Sequence, residues 1–104
     1  MLPYHRRLRA EEVREVLARG TTRRAGVCSL KYLSTTTVFR CAVVVSKKVA
    51  KTAVMRNTLR RAGYQALGRA SLPPTGHAIL FVQSIPPGDP AAAFNASLKT
   101  LLHV

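Results

Sequence analysis

The sequence predicts an α+β fold, a small α/β sandwich with helices packed on a sheet in the order α-β-β-α-β-α. Three observations carry that prediction. Apolar residues recur at helical spacing in three separate stretches, alternating or β-branched runs fill the intervals, and Pro/Gly breaks at Ser71–Gly76 and Pro86–Pro90 punctuate the second half. With 104 residues, 47% of them hydrophobic, the chain is expected to form one domain over 1–104 around a single small core.

The first helix is read over Arg9–Arg19, where Val13, Val16 and Leu17 fall at i, i+3 and i+4 and Gly20 supplies a stop. Its early acids Glu11 and Glu12 and its late Arg19 match the helix dipole. Val27–Leu33 then alternates, with Cys28, Leu30 and Tyr32 on one side and Ser29 and Lys31 on the other. Val38–Ser46 is β-branched and puts Phe39, Cys41, Val43 and Val45 on one face. Only Ser34–Thr37 separates the two runs, a connection of hairpin length. A second helix spans Lys51 to about Gly68, with Met55, Leu59, Ala62 and Ala66 on one stripe and Arg56, Asn57, Arg60, Arg61 and Tyr64 on the opposite arc. His77–Ser84 reads as a strand whose run Ile79–Val82 is apolar enough to be central. Asp89 is a good N-cap with Pro90 at the first helical position, opening a last helix with Phe94, Leu98, Leu101 and Leu102 on its apolar face.

Charge restricts the function. Seventeen Lys and Arg stand against four Asp and Glu, a formal net charge of +13, and from Ala25 to Arg69 there are nine basic residues and no acid. Such a surface repels itself unless a polyanion screens it, so nucleic acid is the expected partner. No apolar stretch approaches the roughly 20 residues that span a bilayer, and the basic first ten residues lack a following apolar segment, so no membrane partner and a cytoplasmic location are expected. Cys28 and Cys41 have no metal-ligand spacing and read as small reduced hydrophobes in strands. Acid/base or two-metal chemistry would need carboxylates, and Glu11, Glu12 and Glu15 cluster on the first helix with only Asp89 elsewhere. His5, His77 and His103 are scattered and no glycine-rich phosphate loop is present. No catalytic and no metal-ligating residue is therefore assigned.

The second helix carries the most specific pattern. Arg56 and Arg60 are four residues apart, as are Asn57 and Arg61, and like charges at that spacing cost an isolated helix a few tenths of a kcal/mol per pair. One reading is a solvated charged face. The other is a row of guanidinium forks that tracks a sugar-phosphate backbone, extended around the helix N-terminus by Lys47, Lys48 and Lys51.

Val45-Ser46-Lys47-Lys48-Val49-Ala50-Lys51, followed by Val54-Met55-Arg56-Asn57-Thr58-Leu59-Arg60-Arg61, resembles the signature of the bacterial ribonuclease P protein subunit. The likeness is sharpest over Ala42–Arg61, and the opening Leu2-Pro3 and Arg7-Leu8 agree with it. The resemblance implies a sheet flanked by helices, with a left-handed crossover carrying the basic helix. It further implies a subunit that binds the catalytic ribonuclease P RNA and precursor tRNA and assists removal of the tRNA 5′ leader. Chemistry and Mg2+ would belong to the RNA. Carried over by position, Arg56, Asn57, Arg60 and Arg61 would contact the RNA subunit with Lys47, Lys48 and Lys51, while the third basic position of the helix motif falls on Tyr64. A cleft between the sheet and the first helix would hold the leader by stacking bases on aromatic side chains. Here the family's cleft aromatics fall on Val13, Leu17 and near Val27, leaving Tyr32, Phe39 and Phe81 as strand aromatics nearby.

The rival reading is a general RNA-binding protein, such as a ribosomal protein or RNA chaperone, because basic patches bind most nucleic acids. DNA is not expected, since no helix-turn-helix, zinc-finger or basic-zipper spacing is present.

Overall fold

The computed structural model describes residues 4–102, so Leu2, Pro3 and His103 lie outside the described residues. After a 3-10 turn at Tyr4–Arg6 the order is α1 (Ala10–Arg19), β1 (Thr21–Ala25), β2 (Cys28–Val38), β3 (Arg40–Val45), α2 (Ala53–Arg69), β4 (Thr75–Val82) and α3 (Pro90–Leu101). Compared with the sequence reading, one strand, β1, is added. It is exposed along Thr21–Arg24 and has no buried alternation to reveal it. Its turn to β2 is Gly26-Val27, where Gly26 has φ +58 and Val27 does not share the left-handed region, the φ signs of a II′ hairpin turn.

The sheet order is β1-β2-β4-β3. β4 lies between β2, to which it is antiparallel, and β3, to which it is parallel. The hairpin expected across Ser34–Thr37 is therefore replaced: those residues belong to β2, and β2 and β3 are not neighbours. The chain instead passes across the start of β4 at Phe39, whose N–H donates to the Pro74 carbonyl at 3.1 Å and whose ring is fully buried. Because β3 and β4 are parallel neighbours, α2 forms the crossover between them.

Alternation decides which residues meet which helix. Cys28 and Leu30 from β2, Cys41, Val43 and Val45 from β3, and Ala78, Leu80 and Val82 from β4 join Leu59, Ala66 and Leu67 of α2 and Phe94, Leu98 and Leu101 of α3 in the main core. The opposite sheet face meets α1, and Val16 and Ile79 are fully buried outside that main cluster. α3 starts as read, with Asp89 Oδ1 accepting from the Ala91 N–H at 3.2 Å and Pro90 in the first turn. Cys28 and Cys41 are buried free thiols, pushed up to about 11 and about 12 by burial, so neither is a thiolate at neutral pH.

A polar cluster ties α1 to the sheet. Glu12 Oε1 accepts from the Arg9 N–H at 2.8 Å, while its Oε2 accepts from Arg40 Nη1 at 2.9 Å and lies 3.6 Å from His77 Nε2. Burial pushes the Glu12 carboxyl up, but the Arg9 and Arg40 hydrogen bonds and the charges of His77 and Arg40 outweigh it and hold the carboxyl below its ordinary value. A depressed folded-state value means stability that is present above the ordinary carboxylate range and is lost as pH falls through the folded value. Glu12→Ala is expected to lower unfolding free energy by about 1–2 kcal/mol at neutral pH. In urea titrations this difference should shrink under acid conditions; a difference that grows with acidification would refute the linkage.

Candidate nucleic-acid interface

The interface begins in the turn before α2. The Val49 and Ala50 N–H groups both donate to the Ser46 carbonyl, at 3.2 and 3.1 Å, and the buried Ala50 pins the turn to the core. Lys47, Lys48 and Lys51 stay exposed on that turn. Thr52 caps α2, its Oγ1 accepting from the Met55 N–H at 3.1 Å. No acid stands in the first turn of α2, so the dipole there and the three lysines act with the same sign.

Arg56 behaves differently from its neighbours. Its Nη1 donates to the carbonyls of Ala50 and Lys51, at 2.9 and 3.1 Å, so the half-buried guanidinium braces the lysine turn. Arg60 is half-buried and its Nη1 donates to Asn57 Oδ1 at 2.9 Å, which stiffens it across the helix surface. Arg61 is exposed. Arg56 is thus first a positioning group, and the outward charge comes from Lys47, Lys48, Lys51, Arg60 and Arg61.

The buried stripe of α2 is Leu59, Gly63, Ala66 and Leu67 rather than the expected Met55, Leu59, Ala62 and Ala66, a rotation of about a sixth of a turn. Met55 is consequently exposed. Gly63 drives this: a Cβ built there would lie 2.7 Å from Val43 Cγ1, so the missing side chain is what lets the helix approach β3. The rotation turns Tyr64 toward the outer edge of β3, where its Oη accepts from the Val43 N–H at 3.4 Å. The guanidinium of Arg7 lies 4.4 Å from the Tyr64 ring centroid. The pairing of Arg7 with Tyr64 has no sequence signal, because 57 positions separate the two residues and nothing in either segment marks it.

The other site expected from the resemblance lies on the α1 side of the sheet. Val13 is half-buried and Leu17 is 45% exposed on α1, whose end is fixed by Lys31 Nζ donating to the Leu17 carbonyl at 2.7 Å. Tyr32, Phe39 and Val27 do not face this side. Tyr32 shares the phase of Cys28 and Leu30 and packs against the main core, as does Val27 from the hairpin turn. Phe39 is fully buried and has no ring face to offer a base. Phe81 alone of the three strand aromatics has the phase of the α1-facing row, paired with Ser29 of β2 and Val44 of β3, and it is half-buried while Val44 is 37% exposed.

Among the described residues no three His, Cys, Asp or Glu side chains converge as a metal site, and no helix is long and apolar enough to cross a membrane. A mixed sheet covered by helices, with an acid-free helix and turn carrying the outward charge, defines a small basic α+β protein built to meet a polyanion. The chain belongs to the ribonuclease P family, whose model, described as Ribonuclease P, matches residues 2–86. It is 48% identical over 64 residues to the ribonuclease P protein component of Pseudanabaena sp. (strain PCC 6903), a match that covers 59% of this chain and 55% of that relative's length. The ribonuclease P protein of Staphylococcus aureus superposes with a TM-score of 0.70 at 19% identity, covering 93% of this chain and 92% of that one. The ribonuclease P protein from Thermotoga maritima superposes with a TM-score of 0.75 at 17% identity, covering 92% and 94%. At these identities the two structures speak for the fold.

Proposed function

We propose that this protein is the protein subunit of ribonuclease P, which binds the catalytic RNA subunit and precursor tRNA and assists magnesium-dependent endonucleolytic removal of the tRNA 5′ leader. The observation that carries the reading is the joining of family membership to the Lys47–Arg61 surface, where a braced turn and helix present Lys47, Lys48, Lys51, Arg60 and Arg61 with no acid among them. Family membership favours this reading over a ribosomal protein or general RNA chaperone.

In this reading Lys47, Lys48, Lys51, Arg60, Arg61 and Asn57 meet the RNA subunit, and Arg56 holds the turn that presents the lysines. Tyr64 belongs to the same face through the cation that its ring carries. The leader lies along the α1 side, between Val13 and Leu17 on the helix and Phe81 and Val44 on the sheet. Mg2+ is held by the RNA, no residue of this chain being assigned to it, and the particle works in the cytoplasm. Cleavage of the phosphodiester is assigned to the RNA, while the protein neutralises phosphate charge and lowers the magnesium needed for a productive complex.

The test is reconstitution of the full chain with a bacterial ribonuclease P RNA and measurement of precursor-tRNA cleavage at low magnesium, with and without protein. Strong stimulation is expected. Absence of both stimulation and binding to that RNA, beside tight binding to bulk ribosomal RNA, would overturn the reading.

A further inference from the structure

We infer that Arg7, seated on the Tyr64 ring, supplies a phosphate-contacting cation that continues the basic row of α2 by one turn. The inference rests on the reading of α2 as the RNA face.

Residues four apart on a helix stack along one row, so the row Arg56, Arg60 arrives next at Tyr64. That position has no charge of its own, yet Arg7 places a guanidinium 4.4 Å from the ring centroid. The placement is built from both sides. The N-terminal segment is fixed along the outer edge of β3, with the Leu8 N–H donating to the Cys41 carbonyl at 3.0 Å and Arg40 Nε donating to the His5 carbonyl at 3.1 Å. The ring is fixed from α2, with Tyr64 Oη accepting from the Val43 N–H. Stacking engages the face of a guanidinium, whereas phosphate is gripped at its edge, so the two interactions are compatible on one side chain. The result is a cation delivered by the N-terminal segment, just after the 3-10 turn, to a helix about 60 residues further on. Tyr64 thus acts as a positioning residue.

The experiment measures binding of the full chain to a bacterial ribonuclease P RNA over a range of salt, comparing wild type with Arg7→Ala, Arg7→Lys, Tyr64→Arg, the Arg7→Ala/Tyr64→Arg double variant, and Arg60→Ala as reference. Arg7→Ala is expected to weaken binding about three- to tenfold and to make the salt dependence shallower by about one phosphate contact. Arg7→Lys, which keeps the charge and most of the stem, retains the slope. Tyr64→Arg restores affinity in the Arg7→Ala background, because the helix then carries the cation itself. If Arg7→Ala matches wild type while Arg60→Ala weakens binding, the proposal falls and the reading of the α2 face stands. An Arg7→Lys variant as weak as Arg7→Ala also overturns it, since Arg7 would then act only by packing. If Arg60→Ala is silent too, the α2 face is not the RNA surface and both fall.

Discussion

Gly63→Ala is expected to destabilise the fold by about 1–2 kcal/mol, although alanine is the better helix former by about 1 kcal/mol. The reason is the wall the new methyl would meet. The Cβ would stand 2.7 and 3.0 Å from the two Cγ atoms of Val43, a β-branched residue whose stiff χ1 gives it little room to yield. Either α2 lifts from the sheet or Val43 leaves its rotamer, and both strain the core that Leu59, Ala66 and Leu67 share with β3. Thermal unfolding should show the loss. The Gly63→Ala/Val43→Ala pair should cost less than the two single effects added, because each relieves the other. Additive losses would mean that Gly63 is not a packing contact, and a stabilised single variant would mean that helix propensity governs the site.

Arg60→Ala with Arg61→Ala is expected to weaken binding to a ribonuclease P RNA by about tenfold to a hundredfold, and to flatten the salt dependence by about two phosphate contacts. The fold should stay within about 0.5 kcal/mol of wild type, since Arg61 is exposed and, among the described residues, Arg60 bonds only the neighbouring Asn57 side chain. Filter binding across salt together with thermal melting separates the two effects. A changed affinity with an unchanged slope would indicate that the arginines act on shape rather than on phosphate. Arg56→Ala is a poorer probe, because removing its guanidinium also releases the carbonyls of Ala50 and Lys51 and frees the lysine turn.

Those two residues also mark what was legible in the sequence. The charges of α2 were readable because nothing opposes them along the chain, and α3 because Asp89-Pro90 is a local capping signal that needs no tertiary partner. The phase of α2 is not, since a hydrophobic stripe counts Met55 and Ala62 and takes no account of a glycine buried by close approach. β1 leaves no mark in the sequence for the same kind of reason. Its residues are polar and exposed, and its place is set by pairing with β2 rather than by burial. Parity separates the strand aromatics: Tyr32 is even with Cys28 and Leu30, which commits it to the other side of the sheet, and of Tyr32, Phe39 and Phe81 only Phe81 has the phase of the α1 face. The role of Arg7 is visible only in the fold, because a cation–π pair between the N-terminal segment and α2 leaves no periodic trace.

The strand order β1-β2-β4-β3 puts the last strand of the chain in the middle of the sheet. Until Thr75–Val82 arrives, β3 has no strand neighbour, β2 has only the β1 hairpin, and the surface that α2 and α3 cover does not exist. Closing such long loops before the contacts reward them makes folding slow relative to a chain of local pairings. During synthesis the arginines and lysines of α2 therefore emerge before the strand that orients them. For that interval the basic row lacks the sheet that orients it, and an RNA that engages it then would meet the charge without the geometry.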